Sequence, residues 1–145
     1  MATEAQIAEL LVQLLRRSSD LFTRNARNAG LTVPQVLLLR QIFHEPKTIG
    51  QIVEAMQLSY STVSGIIDRL ERDGWLARVR DDGDRRIVWI CKTDKLDEGA
   101  RQFVQYRENY YMNLLKDLPD DELNTIRASA EILLRQMKKR DGALQ

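Results

Sequence analysis

Apolar residues recur at every third or fourth position through most of the chain, which is the spacing of one face of an α-helix. The first such stripe predicts a helix over about 5–27, and two more predict helices over about 95–116 and from Asp120 or Asp121 onward. Pro119 separates the last two, because proline cannot continue a helix. Long helices are therefore expected at both ends of the chain.

Three shorter helices are predicted in the middle of the chain, each after a residue suited to the N-cap. Thr32 and Thr48 both stand three residues before a glutamine, which is the spacing of a capping box, and Ser59 is a third N-cap. The first of these helices is apolar almost all round, so we expect it to be central. The other two are joined by about three residues, and the last ends at Gly74. Two short helices joined in this way form a helix-turn-helix.

After Gly74 the pattern changes from a helical period to alternation. The sequence alternates apolar and polar residues in WLARVR, has the chemistry of a turn in DDGD, and is rich in β-branched and aromatic residues in RIVWI. This succession predicts a β-hairpin. A helix-turn-helix followed by a hairpin is a winged helix, so the expected fold is mostly α with a small β-hairpin wing.

Composition narrows the class of protein but says little about its partners. A chain of 145 residues with 43% apolar and 30% charged residues is typical of one folded, helix-rich domain. The net charge of +1, with nine basic against eight acidic residues between Lys47 and Lys95, decides nothing about a nucleic-acid partner. No apolar run reaches membrane-spanning length, and the start MATEAQ is unlike a signal peptide. We therefore expect a cytoplasmic protein with no membrane partner.

The sequence offers no pattern for metal binding or catalysis. His44 and Cys91 are the only residues of their types, which is too few for a zinc site and excludes an intramolecular disulfide. Cys91 lies at the end of the second wing strand, where a small buried apolar residue is the preferred interpretation. No spacing joins a nucleophile to a base. Neither an enzyme nor a cofactor is expected.

The third middle helix has an apolar face and, opposite it, a face of small polar residues. Short hydroxyls and free backbone N–H groups at a helix N-terminus can meet DNA bases and phosphates at close range. We interpret Ser59 first of all as a cap, and Ser61 and Thr62 as DNA contacts, because the apolar face points the other way. Gly65 costs about 1 kcal/mol relative to alanine within a helix. It either allows DNA to approach the backbone or relieves packing, and the sequence leaves both open.

Two arginines, Arg69 and Arg72, follow on the same exposed face. Their positions suit contacts with DNA phosphates. The alternative is an ion pair with Asp68, Glu71 or Asp73, which we expect for at least one of the two arginines.

A specific resemblance begins at Leu58. The run LSYSTVSGIIDRLERDGWLARVRDDGDRR is similar to the recognition helix and wing of the MarR family of bacterial transcription regulators, whose pattern is LS-x-STV…DRLE…G…R…D-x-DRR. The order of the helices extends the resemblance over essentially the whole chain. The spacing from DRLE to DRR within this helical frame makes it specific.

The resemblance implies a homodimer that binds a pseudo-palindromic site on double-stranded DNA, usually as a repressor. It divides the single chain of residues 1–145 into a winged helix-turn-helix over 33–92 and helical dimerisation parts over 1–30 and 95–142. Together with the helix face described above, it makes the following the candidate DNA-binding residues: Ser59, Ser61, Thr62, Ser64, Gly65, Arg69, Arg72, Asp84, Arg85 and Arg86.

The resemblance also gives the wing a role. It implies a wing arginine in the minor groove, which falls on Arg86 or on its neighbour Arg85. Asp84 is then expected to hold that arginine in place before DNA arrives, which reduces the rotamer entropy lost on binding. The carboxylate at the wing tip is thus interpreted as a support for a cation, and not as a repulsive charge.

The family also suggests a small-molecule effector, of a phenolic type, that releases the protein from DNA. Tyr106, Tyr110 and Tyr111 could line a pocket for it. Packing in the core explains these tyrosines as well, and we prefer that interpretation for at least two of them.

One competing function belongs to a different class. The near-neutral charge and Gly65 would also fit a winged-helix adaptor that contacts other proteins and binds no operator. Binding to DNA at two salt concentrations separates the two functions, because only a DNA binder shows a steep salt dependence.

Overall fold

The computed structural model describes residues 1–142, which form six helices and a small sheet. The elements in chain order are α1 (Glu4–Asn28), α2 (Val33–Ile42), β1 (Lys47–Thr48), α3 (Ile49–Met56), α4 (Tyr60–Arg72), β2 (Leu76–Arg80), β3 (Val88–Lys92), α5 (Asp94–Leu115) and α6 (Asp120–Gly142). The chain divides into two compact units, over Met1–Val104 and from Gln105 onward. No helix among residues 1–142 is long and apolar enough to cross a membrane.

The middle helices begin where their capping residues predict. Thr32 and Thr48 each accept a hydrogen bond from the backbone N–H three residues on, and the glutamine there accepts one from the backbone of the threonine. Both predicted capping boxes are therefore confirmed. Ser59 caps α4 with its hydroxyl. A further capping box at Thr3 starts α1, and the apolar pattern did not predict it.

The turn of the helix-turn-helix contains a residue in the left-handed region. Gln57, at the C-terminal end of α3, has φ 53° and ψ 38°, and it is the only non-glycine residue within 1–142 with a positive φ. A side chain in this region costs about 1–2 kcal/mol. Gly74 takes a φ of 81° without that cost and ends α4, as predicted.

The predicted hairpin is present, and it is part of a three-stranded antiparallel sheet in the order β1-β3-β2. Strands β2 and β3 pair from Leu76 opposite Lys92 to Arg80 opposite Val88. Strand β1 pairs on the other side of β3, and it was not predicted. It has only two residues, so it shows no alternating pattern, and pairing with a distant strand is all that defines it.

The main apolar core lies between α2, α3, α4 and the sheet. Leu38 and Ile42 of α2 are almost completely buried, which confirms the central position predicted for this helix, although Leu37 on its outer side is 41% exposed. Helix α4 contributes the apolar face that its spacing predicts. The buried residues of this core are Leu38, Leu39, Ile42, Ile52, Val63, Ile67, Leu70, Trp75, Leu76, Ile90 and Leu96.

The long helices bury much less than the winged part. Helix α1 buries only Leu21 and Ala26, and α6 buries none of its described residues. Tyr106, Tyr110 and Tyr111 are 38–40% exposed. Packing in the core of the chain therefore does not explain the tyrosines, and the interpretation preferred for two of them is wrong. The long helices carry apolar stripes at the predicted spacing, but most of these side chains lie at the surface.

Candidate nucleic-acid interface

Three hydroxyls lie within one turn at the start of α4. Ser59 Oγ accepts a hydrogen bond from the backbone N–H of Thr62 at 3.2 Å, which confirms its role as the cap. The same oxygen lies 2.7 Å from Thr62 Oγ1 and 3.2 Å from Ser61 Oγ. All three residues are exposed, whereas Ser64 is half-buried. The start of α4 therefore presents a compact polar surface away from its buried face.

Gly65 has open space where a side chain would be. A Cβ at this position would meet no atom of the chain within 4 Å. Packing therefore does not require glycine here, and that alternative is wrong. The roughly 1 kcal/mol that glycine costs within a helix is not offset by contacts in the chain. Close approach of a partner to the backbone is the alternative that stands.

Charged residues near the end of α4 form two separate sets of ion pairs. Arg72 Nε lies 3.7 Å from Asp73 Oδ1, so the ion pair expected for at least one arginine is present. The Arg72 side chain is 73% exposed, and such pairs contribute little to stability. Asp68 and Glu71 pair instead with Arg78 of β2, which was not predicted.

The wing tip is built around Asp81. Its Oδ2 accepts bonds from the backbone N–H groups of Gly83 and Asp84, at 3.0 and 2.9 Å, and its Oδ1 accepts the indole N–H of Trp89 at 2.9 Å. The bond from Trp89, followed by those from the backbone, lowers the pKa of Asp81. No role for this aspartate was predicted. The turn chemistry of DDGD was the available signal, because an aspartate that starts a turn often accepts backbone N–H groups two or three residues on.

Asp84 holds Arg86 through both of its carboxylate oxygens. Oδ1 accepts from Arg86 Nε at 3.0 Å and from the Arg86 backbone N–H at 3.1 Å, and Oδ2 accepts from Nη2 at 2.9 Å. These bonds lower the pKa of Asp84, and the side-chain bond raises the pKa of Arg86. Two parallel bonds fix the plane of the guanidinium, and the Arg86 side chain as a whole is 90% exposed. The expected contact with a wing arginine is present, and its partner is Arg86 and not Arg85.

Two other arginines of the candidate set are exposed without such a support. Arg69 lies on α4, and Arg85 lies beside the arginine that Asp84 holds. No ion pair forms on either within residues 1–142. Both cations are therefore available to an anion outside the chain.

Cys91 has the surroundings of a structural cysteine. It is half-buried, and burial raises the pKa of its thiol. A raised pKa reduces the thiolate on which the reactivity of cysteine depends. Among the residues from 1 to 142, no group of three or more His, Cys, Asp or Glu could hold a metal ion.

Comparison with known proteins places this geometry in a family. The MarR family model matches residues 29–87, which run from the end of α1 past the wing tip. YsmB, an uncharacterised HTH-type transcriptional regulator of Bacillus subtilis, is 27% identical over 112 residues, 77% of each chain. The crystal structure of the transcriptional regulator Tm0710 from Thermotoga maritima is 28% identical and has a TM-score of 0.75 over 91% of this chain and 96% of that chain. The winged part of the chain thus matches the MarR family.

The proteins that the chain resembles are transcriptional regulators and not enzymes. A mutant of MepR from S. aureus, bound to an oligodeoxyribonucleotide, has the same fold, with a TM-score of 0.73 over 94% of this chain, 99% of that chain and 18% identity. The predicted winged helix-turn-helix is confirmed. The stretch matched by the family model contains every candidate DNA-binding residue, from Ser59 to Arg86.

Proposed function

We propose that this chain is a MarR-family regulator, which binds a pseudo-palindromic site on double-stranded DNA as a homodimer and acts as a repressor. In this proposal the start of α4 enters the major groove, and the wing places Arg86 in the adjacent minor groove. The MepR mutant bound to an oligodeoxyribonucleotide supports DNA as the partner, since that protein shares the fold. The regulator would act in the cytoplasm, together with this DNA.

The observation that carries the proposal is that the side chain of Arg86 is both exposed and held in one orientation. Its side chain is 90% exposed, yet the two hydrogen bonds that it donates to the Asp84 carboxylate hold it in one orientation. Holding a long solvated side chain costs rotamer entropy. When that ordering precedes binding, an anion outside the chain binds with a smaller loss of freedom. A narrow minor groove, with its enhanced negative potential, is an anionic partner that attracts an inserted arginine.

The start of α4 supplies the other half of the proposed surface. The exposed hydroxyls of Ser61 and Thr62 lie beside the free N–H groups of the helix N-terminus, and the open position at Gly65 permits close approach of DNA. Arg69 and Arg72, further along the same exposed side, are proposed to contact phosphates. Base contacts would thus come from the helix start, and positioning contacts from the helix end.

The helices outside the winged part are proposed to form the dimer interface. In α1, Leu14 is 61% exposed, and in α6, Met137 is 62% exposed, each within an apolar stripe. Exposed apolar stripes of this kind mark interaction surfaces. We therefore propose a DNA-binding part over 33–92 and dimerisation parts over 1–30 and 95–142. Sedimentation at micromolar concentration should show twice the mass of one chain, and a folded monomer would contradict the dimer.

A small-molecule effector that weakens DNA binding is also part of the proposal. Tyr106, Tyr110 and Tyr111 are proposed to contact it, since all three are exposed, and the rings of Tyr110 and Tyr111 meet edge to face at 5.4 Å. Addition of a panel of phenolic compounds to a DNA-binding assay tests this point. A fall in affinity would support the effector, and unchanged affinity throughout would contradict a phenolic one.

Titration of a fluorescent duplex from the region upstream of the protein's own gene tests DNA binding itself. The affinity should fall steeply between two salt concentrations, because each phosphate contact releases about one counterion. It should also exceed the affinity for an unrelated duplex of equal length. A winged-helix adaptor, which the near-neutral charge would also permit, would bind both duplexes weakly and equally.

The hydroxyl cluster is tested by Thr62→Ala. A lost base contact typically costs about 1–3 kcal/mol of binding free energy. Thr125→Ala is the matched control, because Thr125 is an exposed threonine of α6 whose hydroxyl donates to the backbone carbonyl of Asp121. If both variants bind the operator like the parent, the hydroxyl of Thr62 only supports the cap of α4.

A further inference from the structure

The base of the wing is tied to α4 by Arg78, a residue outside the proposed DNA contacts. Its Nη2 donates to Asp68 Oδ1 and its Nη1 to Glu71 Oε1, both at 2.6 Å. Its backbone N–H donates to Glu71 Oε2 at 3.2 Å. Two carboxylates, three residues apart on one face of α4, thus bind both the guanidinium and the backbone of a single β2 residue.

We infer that Arg78 is a positioning residue that fixes the recognition helix α4 to the wing, so that both halves of the DNA-binding surface meet their grooves together. Arg78, Asp68 and Glu71 form what we call the clamp. The inference rests on the proposed function, because the orientation of α4 relative to the wing matters only if both bind the same DNA.

The arginine of the clamp is less exposed than the other paired arginines near the DNA-binding surface. The side chain of Arg78 is 31% exposed, against 73% for Arg72 and 90% for Arg86. The hydrogen bond to Asp68, with a further one to Glu71, raises the pKa of the Arg78 guanidinium. Short charge-assisted bonds and partial burial distinguish the clamp from solvated ion pairs, which contribute little.

The place of the clamp allows it to set an orientation. On the inner side, Leu70 of α4 and Leu76 of β2 are both buried and join the two elements through the core. Arg78 follows Leu76 by two residues in β2 and stands opposite Ile90, so it lies on the same face of the sheet, and the clamp extends the contact beyond the core. Helix α4 and the wing are therefore connected both by buried apolar residues and by the clamp. A surface that is rigid before binding loses less conformational freedom when DNA binds.

The clamp also changes the charge that DNA would meet. Asp68 and Glu71 are exposed residues of α4, and free carboxylates at this surface would repel phosphates. Pairing with Arg78 cancels one of these two negative charges. Net charge alone predicts tighter DNA binding when the two carboxylates are removed, whereas the clamp predicts weaker binding.

Arg78→Met separates positioning from a direct phosphate contact, because methionine keeps an unbranched apolar side chain without the guanidinium. We expect a folded protein whose operator affinity falls roughly tenfold, the scale of one lost base contact, with an unchanged salt slope. Arg85→Met is the matched control, since it removes an exposed cation of the proposed surface, and its slope should fall by about one ion. If the slope of Arg78→Met also fell by about one, Arg78 would contact phosphate and the inference would be overturned.

Asp68→Asn and Glu71→Gln test the clamp from the helix side. Each removes a negative charge and leaves Arg78 in place. We expect the combined variant to bind the operator more weakly, and no further loss when Arg78→Met is added, because the same contact is already broken. Tighter binding by the combined variant would support net charge and overturn the clamp. These variants give the answer even if Arg78→Met fails to fold.

A second readout distinguishes positioning from stability. Thermal unfolding of Arg78→Met reports the stability of the fold, and operator titration far below its Tm reports the binding of folded protein. A lower Tm with parent-like affinity would mean that Arg78 only stabilises the fold. That result would overturn the inference but not the proposed function. The parent is titrated in the same assay, and if the parent itself fails to bind, the proposed function is overturned and the inference with it.

Discussion

Leu70 of α4 and Leu14 of α1 both lie on apolar stripes with helical spacing, yet Leu70 is fully buried and Leu14 is 61% exposed. The same contrast separates the winged part from the outer helices. The winged part closes an apolar core within one chain, whereas α6 buries none of its described residues. Helical spacing thus predicts which face of a helix is apolar, but not what covers that face. In our proposal, a second copy of the chain covers the outer helices.

Truncation of Leu70 and of Leu14 to alanine should give the largest difference in stability between the two regions. Leu70→Ala removes side-chain volume from a filled core and should lower the free energy of unfolding by about 2–5 kcal/mol. Leu14→Ala should act mainly through association, so its smaller cost should depend on protein concentration. Urea unfolding at two protein concentrations measures both variants. Equal losses of unfolding free energy in the two variants, independent of protein concentration, would contradict the difference between the two regions.

Two glycines within helices allow the same comparison, because Gly99 faces a buried side chain and Gly65 faces open space. Substitution of Gly99 should have the larger effect on stability. A Cβ at Gly99 would lie 2.9 Å from Cζ3 of the buried Trp75, whose indole ring is rigid. Overpacking of this kind costs about 1–3 kcal/mol, partly offset by the helix propensity of alanine. We expect Gly99→Ala to lower the Tm. An unchanged or raised Tm would show that the indole moves aside at no cost.

Gly65→Ala should have the opposite effect on stability. Because a Cβ at Gly65 meets nothing within 4 Å, the free energy of unfolding should rise by about 0.5–1 kcal/mol. If DNA approaches the backbone here, the same variant should bind the operator more weakly although it is more stable. Denaturant unfolding and operator titration measure the two effects. A more stable variant with parent-like affinity would argue against close approach.

The smallest effect is expected at the wing tip, on the outer surface of the winged part. Asp84→Ala removes a negative charge, so a tip that acted through net charge alone would bind DNA more tightly. Because Asp84 holds Arg86, we expect binding to weaken a few-fold, with a nearly unchanged salt slope, since no cation is lost. Arg86→Ala is the companion variant and should lower the slope by about one ion. Tighter binding by Asp84→Ala would show that the contact between Asp84 and Arg86 does not aid DNA binding.

The contacts that could be predicted join near neighbours in the sequence. The caps at Thr32, Thr48 and Ser59 each act on a residue three positions on, and Asp84 contacts an arginine two positions on. A helix start or a tight turn brings such neighbours together before any tertiary contact forms. Local geometry was therefore enough to find the caps, and the family resemblance pointed to the contact of Asp84.

Apart from the capping box at the start of α1 and the turn bonds of Asp81, the contacts that were not predicted join distant positions. Thr48 stands opposite Trp89 in the sheet, and Trp89 also donates to Asp81. Arg78 reaches back ten residues to Asp68. Several carboxylates lie at similar distances from Arg78 along the sequence. Which of them pair with Arg78 depends on how α4 packs against the sheet, and the spacing of residues in the sequence does not show that packing.

The sequence by itself determined the order of the helices, the place of the wing and the family motif, because periodicity and turn chemistry are properties of short segments. Only the tertiary structure decided that Gly65 faces open space while Gly99 faces Trp75. It also decided that the tyrosines of α5 lie at the surface. Burial is not a property of a segment. It depends on which other elements pack against that segment, and those elements come from distant parts of the chain or from a partner.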